Sequence, residues 1–290
     1  MTIAQRAALL GLLCCACATT AVPGRERDQV NLALTNQVRQ LSQSVLVTSF
    51  FRDATRRLLL TQPPDEVELV INPRGGRKSP GKVLEVLPAG TPVRILSIDY
   101  PTWWTSLTRQ LITPSERPWL EVAVEGRTAV PTYVIALRPN LRSADESFDE
   151  ILRFLTPDDV AGEVARLSES DRRAVQTREV TEGLTMRAVE LALGRPNLRD
   201  VRGDGSDVIE DWTYRSDAGV RRVLHFRGGV AAGLETVAAA DDTAAKAPVK
   251  PQPVAPDAVK SDAAKTDAAK TDAANAVAAK PDAVKPSAAK

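Results

Sequence analysis

The chain has 290 residues, with 38 Lys and Arg against 37 Asp and Glu and a single His. A balance this close to neutral excludes a general nucleic-acid binder, which carries a basic excess. Three Cys at 14, 15 and 17, with none beyond, exclude a disulfide framework or a Cys-based metal centre in the body of the chain. One His excludes His-rich zinc centres and argues against a His-dependent triad. Every Trp, Tyr and Phe lies between Phe50 and Phe226, so the packed core is expected within about 28–237.

Residues 1–17 read MTIAQRAALLGLLCCAC. Arg6 supplies a short positive region. Ala7 to Leu13 form an apolar run too short to span a bilayer, and small residues follow, the pattern of a signal peptide. Leu13-Cys14-Cys15-Ala16-Cys17 resembles a bacterial lipobox, in which small residues precede a Cys that becomes acylated, as by palmitate. Ala16 makes Cys17 the expected acceptor, with Cys15 as the alternative; a plain cleaved signal is the competing reading. No other run reaches transmembrane length. Ala18 after the acceptor, by resemblance to enterobacterial sorting rules, implies an outer-membrane lipoprotein on the periplasmic side.

Residues 18–65 are expected to hold a linker and one helix. Over 28–46, Val30, Leu34, Val38, Leu41 and Val45 recur at gaps of 4, 4, 3 and 4, the spacing of an amphipathic helix. The run 47–60 is either its continuation or a first strand, and Gln62-Pro63-Pro64 ends it.

From 66 to 140 the pattern changes to short strands: 66–71, 82–87, 93–98, 119–124 and 132–137. Turn residues at Pro73–Gly76, Pro88–Thr91 and Glu125-Gly126 separate them, which predicts a small antiparallel barrel. The run Lys82-Val83-Leu84 … Leu87-Pro88-Ala89-Gly90-Thr91-Pro92-Val93-Arg94-Ile95-Leu96, with Trp119 on a later strand, resembles bacterial SH3-like domains. Their compact loop is replaced here by a long insert from Asp99 to Arg117. The resemblance implies peptidoglycan or peptide binding, or a structural spacer. Tyr100, Trp103 and Trp104 in that insert are the candidate binding surface, an aromatic platform; the competing assignment buries them as the end of the core.

Residues 143–237 begin with helices. Ser143-x-x-Glu146 is a capping box for a helix through Phe154. Thr156-Pro157-Asp158-Asp159 opens a second helix to about Leu167, with Pro at its first position, and Ser170-Asp171 opens a third to about Gln176. Thr185 caps a helix that Gly194 and Pro196 end. Strands are expected over 197–202, 207–214, 220–226 and 230–236. Trp212 and Phe226 should share the packed face, and His225 should point to the rim.

The string Glu182-Gly183-Leu184-Thr185 … Val189 … Leu193-Gly194-Arg195-Pro196 … Trp212-Thr213-Tyr214 … Phe226-Arg227-Gly228-Gly229-Val230 resembles the SmpA/OmlA (BamE-like) family. Leu184 replaces a Met of that pattern, and Gly229 a frequent basic residue. The resemblance covers about 178–236. It implies a helix-on-sheet module of the outer-membrane assembly type.

From 238 to 290 the chain is an Ala-, Lys-, Pro- and Asp-rich tail ending in seven pentads from Pro256, with no Leu, Ile, Met or aromatic. Such a segment cannot offset its ordering entropy and is expected to be disordered. The expected fold is thus α+β: an N-terminal helix and SH3-like barrel, a BamE-like module, then the tail. The expected function is non-enzymatic. The chain would bind envelope proteins from a lipid anchor, with peptidoglycan as the alternative partner. No motif proposes a catalytic residue, a metal ligand or a cofactor.

Overall fold

The computed structural model describes residues 22–51, 53–69, 80–102, 109, 114, 116–128, 131–203 and 208–237. The lipobox, with Cys15 and Cys17, the turn at 73–76, Trp103, Trp104 and the pentad tail lie outside them. The described residues form a mixed α+β structure with five helices and two mostly antiparallel sheets.

The chain enters through α1 (Gly24–Leu34), which buries Val30 and Leu34. The expected helix over 28–46 stops there. Asn36 turns the backbone left-handed at φ 66°, and the chain beyond it forms β1 (Val38–Leu41) and β2 (Val45–Phe50), the second rich in β-branched Val45, Val47 and Thr48. The 4, 4, 3, 4 spacing is therefore shared between a helix face and two strands. Then β3 (Asp53–Leu60) settles the open alternative at 47–60 in favour of strand. So the region expected as linker and helix supplies three strands of the main sheet.

The remaining strands of that sheet are β4 (Val83–Leu87), β5 (Pro92–Asp99), β6 (Trp119–Val124), β7 (Thr132–Ala136) and β8 (Leu155–Thr156). Their order is β4-β2-β3-β7-β6-β5-β1-β8, antiparallel except for the parallel pair β3–β7. This corrects the expected small barrel: the sheet has eight strands and two edges, β4 and β8, and does not close. The expected strand at 66–71 is also absent over its described part, Glu66 to Leu69, which is turn and irregular chain.

Both faces of the sheet are covered. On one, Val45, Val47, Ile95, Leu120, Val122 and Ile135 pack with Val30 and Leu34 of α1 and Ile151 of α2 (Ala144–Leu152). On the other, Phe50, Leu58, Val134 and Trp119 form a second cluster, with Phe50 edge-on to Trp119 at 5.1 Å between centroids.

Ser143 caps α2 as expected, its Oγ accepting from Glu146 N at 3.2 Å. The second expected helix is shorter than its sequence pattern: Thr156 belongs to β8, and α3 (Val160–Arg166) starts after Asp159, which caps it through Gly162 N. Next come α4 (Glu169–Thr177), capped by Ser168, and α5 (Met186–Leu193), capped by Thr185 and ended by Gly194 at φ 89°. The second sheet consists of β9 (Leu198–Arg202), β10 (Ile209–Arg215), β11 (Arg221–Arg227) and β12 (Val230–Val237), in the order β12-β11-β10-β9. Its inner face carries Trp212, Leu224, Phe226 and Ala231 against Leu184 and Val189.

Candidate functional site

The two sheets meet along a polar and apolar seam. Arg178 follows α4 with a left-handed backbone, φ 61°. That turn aims its side chain between the sheets. Its Nε donates to the Ala192 carbonyl at 3.0 Å, and its Nη atoms donate to the carbonyls of Leu60 and Thr61 at 3.4 and 2.6 Å. Burial, with the neighbouring Arg222 charge, pushes its pKa down to about 10. Arg222 is fixed in turn by a bidentate contact with Glu66. The hairpin between β10 and β11 completes the seam. Ala218 N donates to Glu66 O at 2.9 Å, Asp217 accepts from Glu68 N at 3.1 Å, and Gln62 bonds both Asp217 N and Arg215 O.

Beside this seam lies a cleft of about 130 Å³. Leu59, Val67, Ile135 and Phe154 supply apolar walls; Arg117, Arg138, Glu150 and Asp217 bring charges to it. It is a shallow depression about half open to solvent, with polar and apolar lining in similar amounts. Glu150 is itself committed, accepting from Arg138 N at 3.1 Å and Arg153 Nη1 at 3.2 Å.

The expected aromatic platform is not assembled among the described residues. Tyr100 is only 4% exposed and packs in the main core, so it has no face to offer a ligand. Burial, only partly offset by the Ser147 hydroxyl and the Arg27 charge, raises its pKa. The physical reason is position: Tyr100 directly follows β5, whose inward side chains are already core.

The outer face of the second sheet holds the only His. His225 Nδ1 lies 2.7 Å from Asp211 Oδ1 and its Nε2 3.9 Å from Glu235, and its side chain is 41% exposed, on the rim as expected. Arg202 bonds both Asp200 and Asp211 on the same face. Glu210 faces the other way. Burial alone would raise its pKa, but hydrogen bonds from Arg199 and Trp212 outweigh that and hold it low. The acids at 210 and 211 thus serve opposite faces. Among the described residues no three His, Cys, Asp or Glu side chains gather as a metal site.

No local pattern in the sequence marks the seam. Glu66 resembles one outward residue of an alternating strand, and Arg178 bonds carbonyl groups, which no side-chain pattern reveals. A comparison of the chain with protein-family models, with curated proteins and with solved structures gives no match.

Proposed function

We propose that the protein is a non-enzymatic envelope lipoprotein, acylated at Cys17, that binds another protein in outer-membrane assembly or maintenance. The observation that supports the binding role is the shallow seam cleft, a mixed apolar and charged surface on a frame tied together by Arg178 and the Glu66–Arg222 pair. Residues at the rim of such a depression can contact a partner, as interface energy is concentrated in a few residues. The Cys cluster at 14–17 supports the anchor, and the Thr185 cap, the Gly194 turn and the Trp212–Phe226 pair support a SmpA/OmlA-type module over about 178–236. Among the described residues no helix is long and apolar enough to cross a membrane, so the reading places attachment on the acyl group, at about 0.8 kcal/mol for each buried methylene.

Two measurements test it. Cys17→Ser should move the protein from membrane to soluble envelope fractions; retention with Cys15 also replaced rejects the anchor. A photo-crosslinker at Arg138, whose half-exposed side chain lines the cleft, should give a discrete envelope-protein adduct that Thr61→Phe, which crowds the cleft, abolishes. Salt-resistant retention on purified sacculi, with no such adduct, would favour the peptidoglycan-binding adaptor instead.

A further inference from the structure

Strand edges expose unpaired backbone groups, and folded proteins blunt them by brevity, bulges or charge. Of the four edges of the two sheets, β8 has two residues, and the pairings of β4 and β12 with their neighbours each carry a register shift. The fourth, β9, runs Leu198-Arg199-Asp200-Val201-Arg202, neither short nor bulged, and is guarded only by charges, of opposite sign at 200 and 202. Its pairing to β10 is unbroken and all five residues are exposed.

The pairing to β10 also fixes which way each side chain faces. Arg199 lies opposite Trp212 and Val201 opposite Glu210, on the inner face; Arg199 stacks 4.9 Å from the Trp212 ring. Leu198, Asp200 and Arg202 lie on the outer face with Thr213, Asp211 and Ile209. A second copy extending this sheet about a twofold axis must pair antiparallel and keep each face continuous, so the axis passes through a residue rather than between two. Three registers use the strand. Centring on Arg199 or on Asp200 sets that charge against its own copy, which is unfavourable. Centring on Val201 sets Val201 against Val201 and Asp200 against Arg202 twice, and places Arg199 opposite Gly203. Within each copy Arg202 already bonds Asp200 at 2.8 Å and Asp211 at 2.9 Å, and with the Asp200 and Arg202 side chains 52% and 64% exposed this register adds a second, cross-copy partner to each.

We propose that β9 is a self-association edge, pairing with β9 of a second copy in the register centred on Val201, so that two four-stranded sheets become one of eight. This does not rest on the lipid anchor or on the seam cleft.

The test is sedimentation of the chain carrying serine at 14, 15 and 17, over a concentration series. A monomer–dimer equilibrium is expected. Asp200→Lys, which opposes Arg202 with a like charge twice, should weaken the dimer about tenfold, and more than Asp200→Ala, which ends the internal pair with Arg202 without adding a like charge. Single cysteines at 199, 200, 201 and 202 then fix the register. Oxidation should link position 201 fastest, where the Cβ atoms come within about 5.5 Å, and position 199 slowest, where the copies stand roughly 13 Å apart along the strands. A monomer at every concentration, a dimer indifferent to Asp200→Lys, or fastest linkage at 199, 200 or 202 overturns the proposal.

Discussion

Arg178 reaches across 117 positions of sequence to donate a 2.6 Å hydrogen bond to the carbonyl of Thr61. Its fork also serves Leu60 and Ala192, so one guanidinium ties β3 of the first sheet to α5 of the second module. Arg178→Ala leaves those carbonyls without their donor, each loss costing about 1–3 kcal/mol where water cannot enter. A total of about 2–4 kcal/mol is expected from chemical denaturation. Arg178→Lys should recover little, because an ammonium lacks the planar fork. A melting curve within error of the native one for Arg178→Ala would remove this residue from the seam.

Gly90 joins the modules by close approach. Its φ is +83°, and a Cβ placed there would lie 2.7 Å from both N and Cα of Ala161. Gly126 has a similar φ of +77° with nothing within 4 Å of the same point. The two glycines separate backbone strain from contact. Gly126→Ala should cost about 1–2 kcal/mol, the conformational penalty alone, and Gly90→Ala should cost about 1–3 kcal/mol more through displaced backbone. Equal costs at the two positions would show that Gly90 is present for its turn alone.

What the sequence made legible follows the range of the interactions. The second sheet was readable strand by strand because its hairpins are local and punctuated by Gly and Asp, and because the caps at Ser143, Thr185 and Gly194 act within four residues. The first sheet was not, because its order depends on a parallel pairing of β3 with β7, such as Arg56 with Thr132, 76 residues apart. Val38, Leu41 and Val45 satisfied a helical spacing while serving strands. Nothing local distinguishes those outcomes; the left-handed turn at Asn36 and the partners of β1 decide them. Tyr100 was ambiguous for the same reason, since its burial depends on α1 and α2 arriving from distant segments.

Tyr214 sets an alkaline limit. Burial, reinforced by the Glu190 carboxylate, raises its pKa well above the ordinary 10.0, and its hydroxyl donates to Gly194 O at 3.0 Å. The folded state therefore holds a proton that the unfolded chain releases from about pH 10 upward. The stability this contributes is fully present below pH 10 and is lost as pH rises beyond it. Arg178 works in the opposite sense: its folded pKa of about 10 lies below the ordinary 12.5, so the penalty for burying its charge diminishes over the same range. Tyr214→Phe should flatten the alkaline fall in stability, and Arg178→Met should steepen it. Identical slopes between pH 9 and 11.5 for native protein and Tyr214→Phe would show that the phenol is not protected in the fold.

Trp212 carries the core of the second module. It is 2% exposed, its ring centroid stands 4.7 Å from that of Phe226, and Leu224 and Val189 complete its surroundings. The indole N–H donates to Glu210 Oε1 at 2.7 Å, and the same oxygen accepts from Arg199 Nε at 2.5 Å. Replacing the ring by a methyl removes the largest buried group of this cluster and the Arg199 stacking partner together. Trp→Ala in a core costs about 3–5 kcal/mol, against about 5–15 kcal/mol for a whole domain. Trp212→Ala should therefore lower the melting midpoint severely. Trp212→Phe keeps most of the apolar contact but leaves Glu210 with Arg199 alone, so its cost should be smaller, about 1–2 kcal/mol. The rival role for a tryptophan on such a strand is an exposed anchor for a partner. In that case Trp212→Ala would melt as the native chain does and lose only binding. Thermal denaturation of the full chain distinguishes them, and an unchanged midpoint would take Trp212 out of the core.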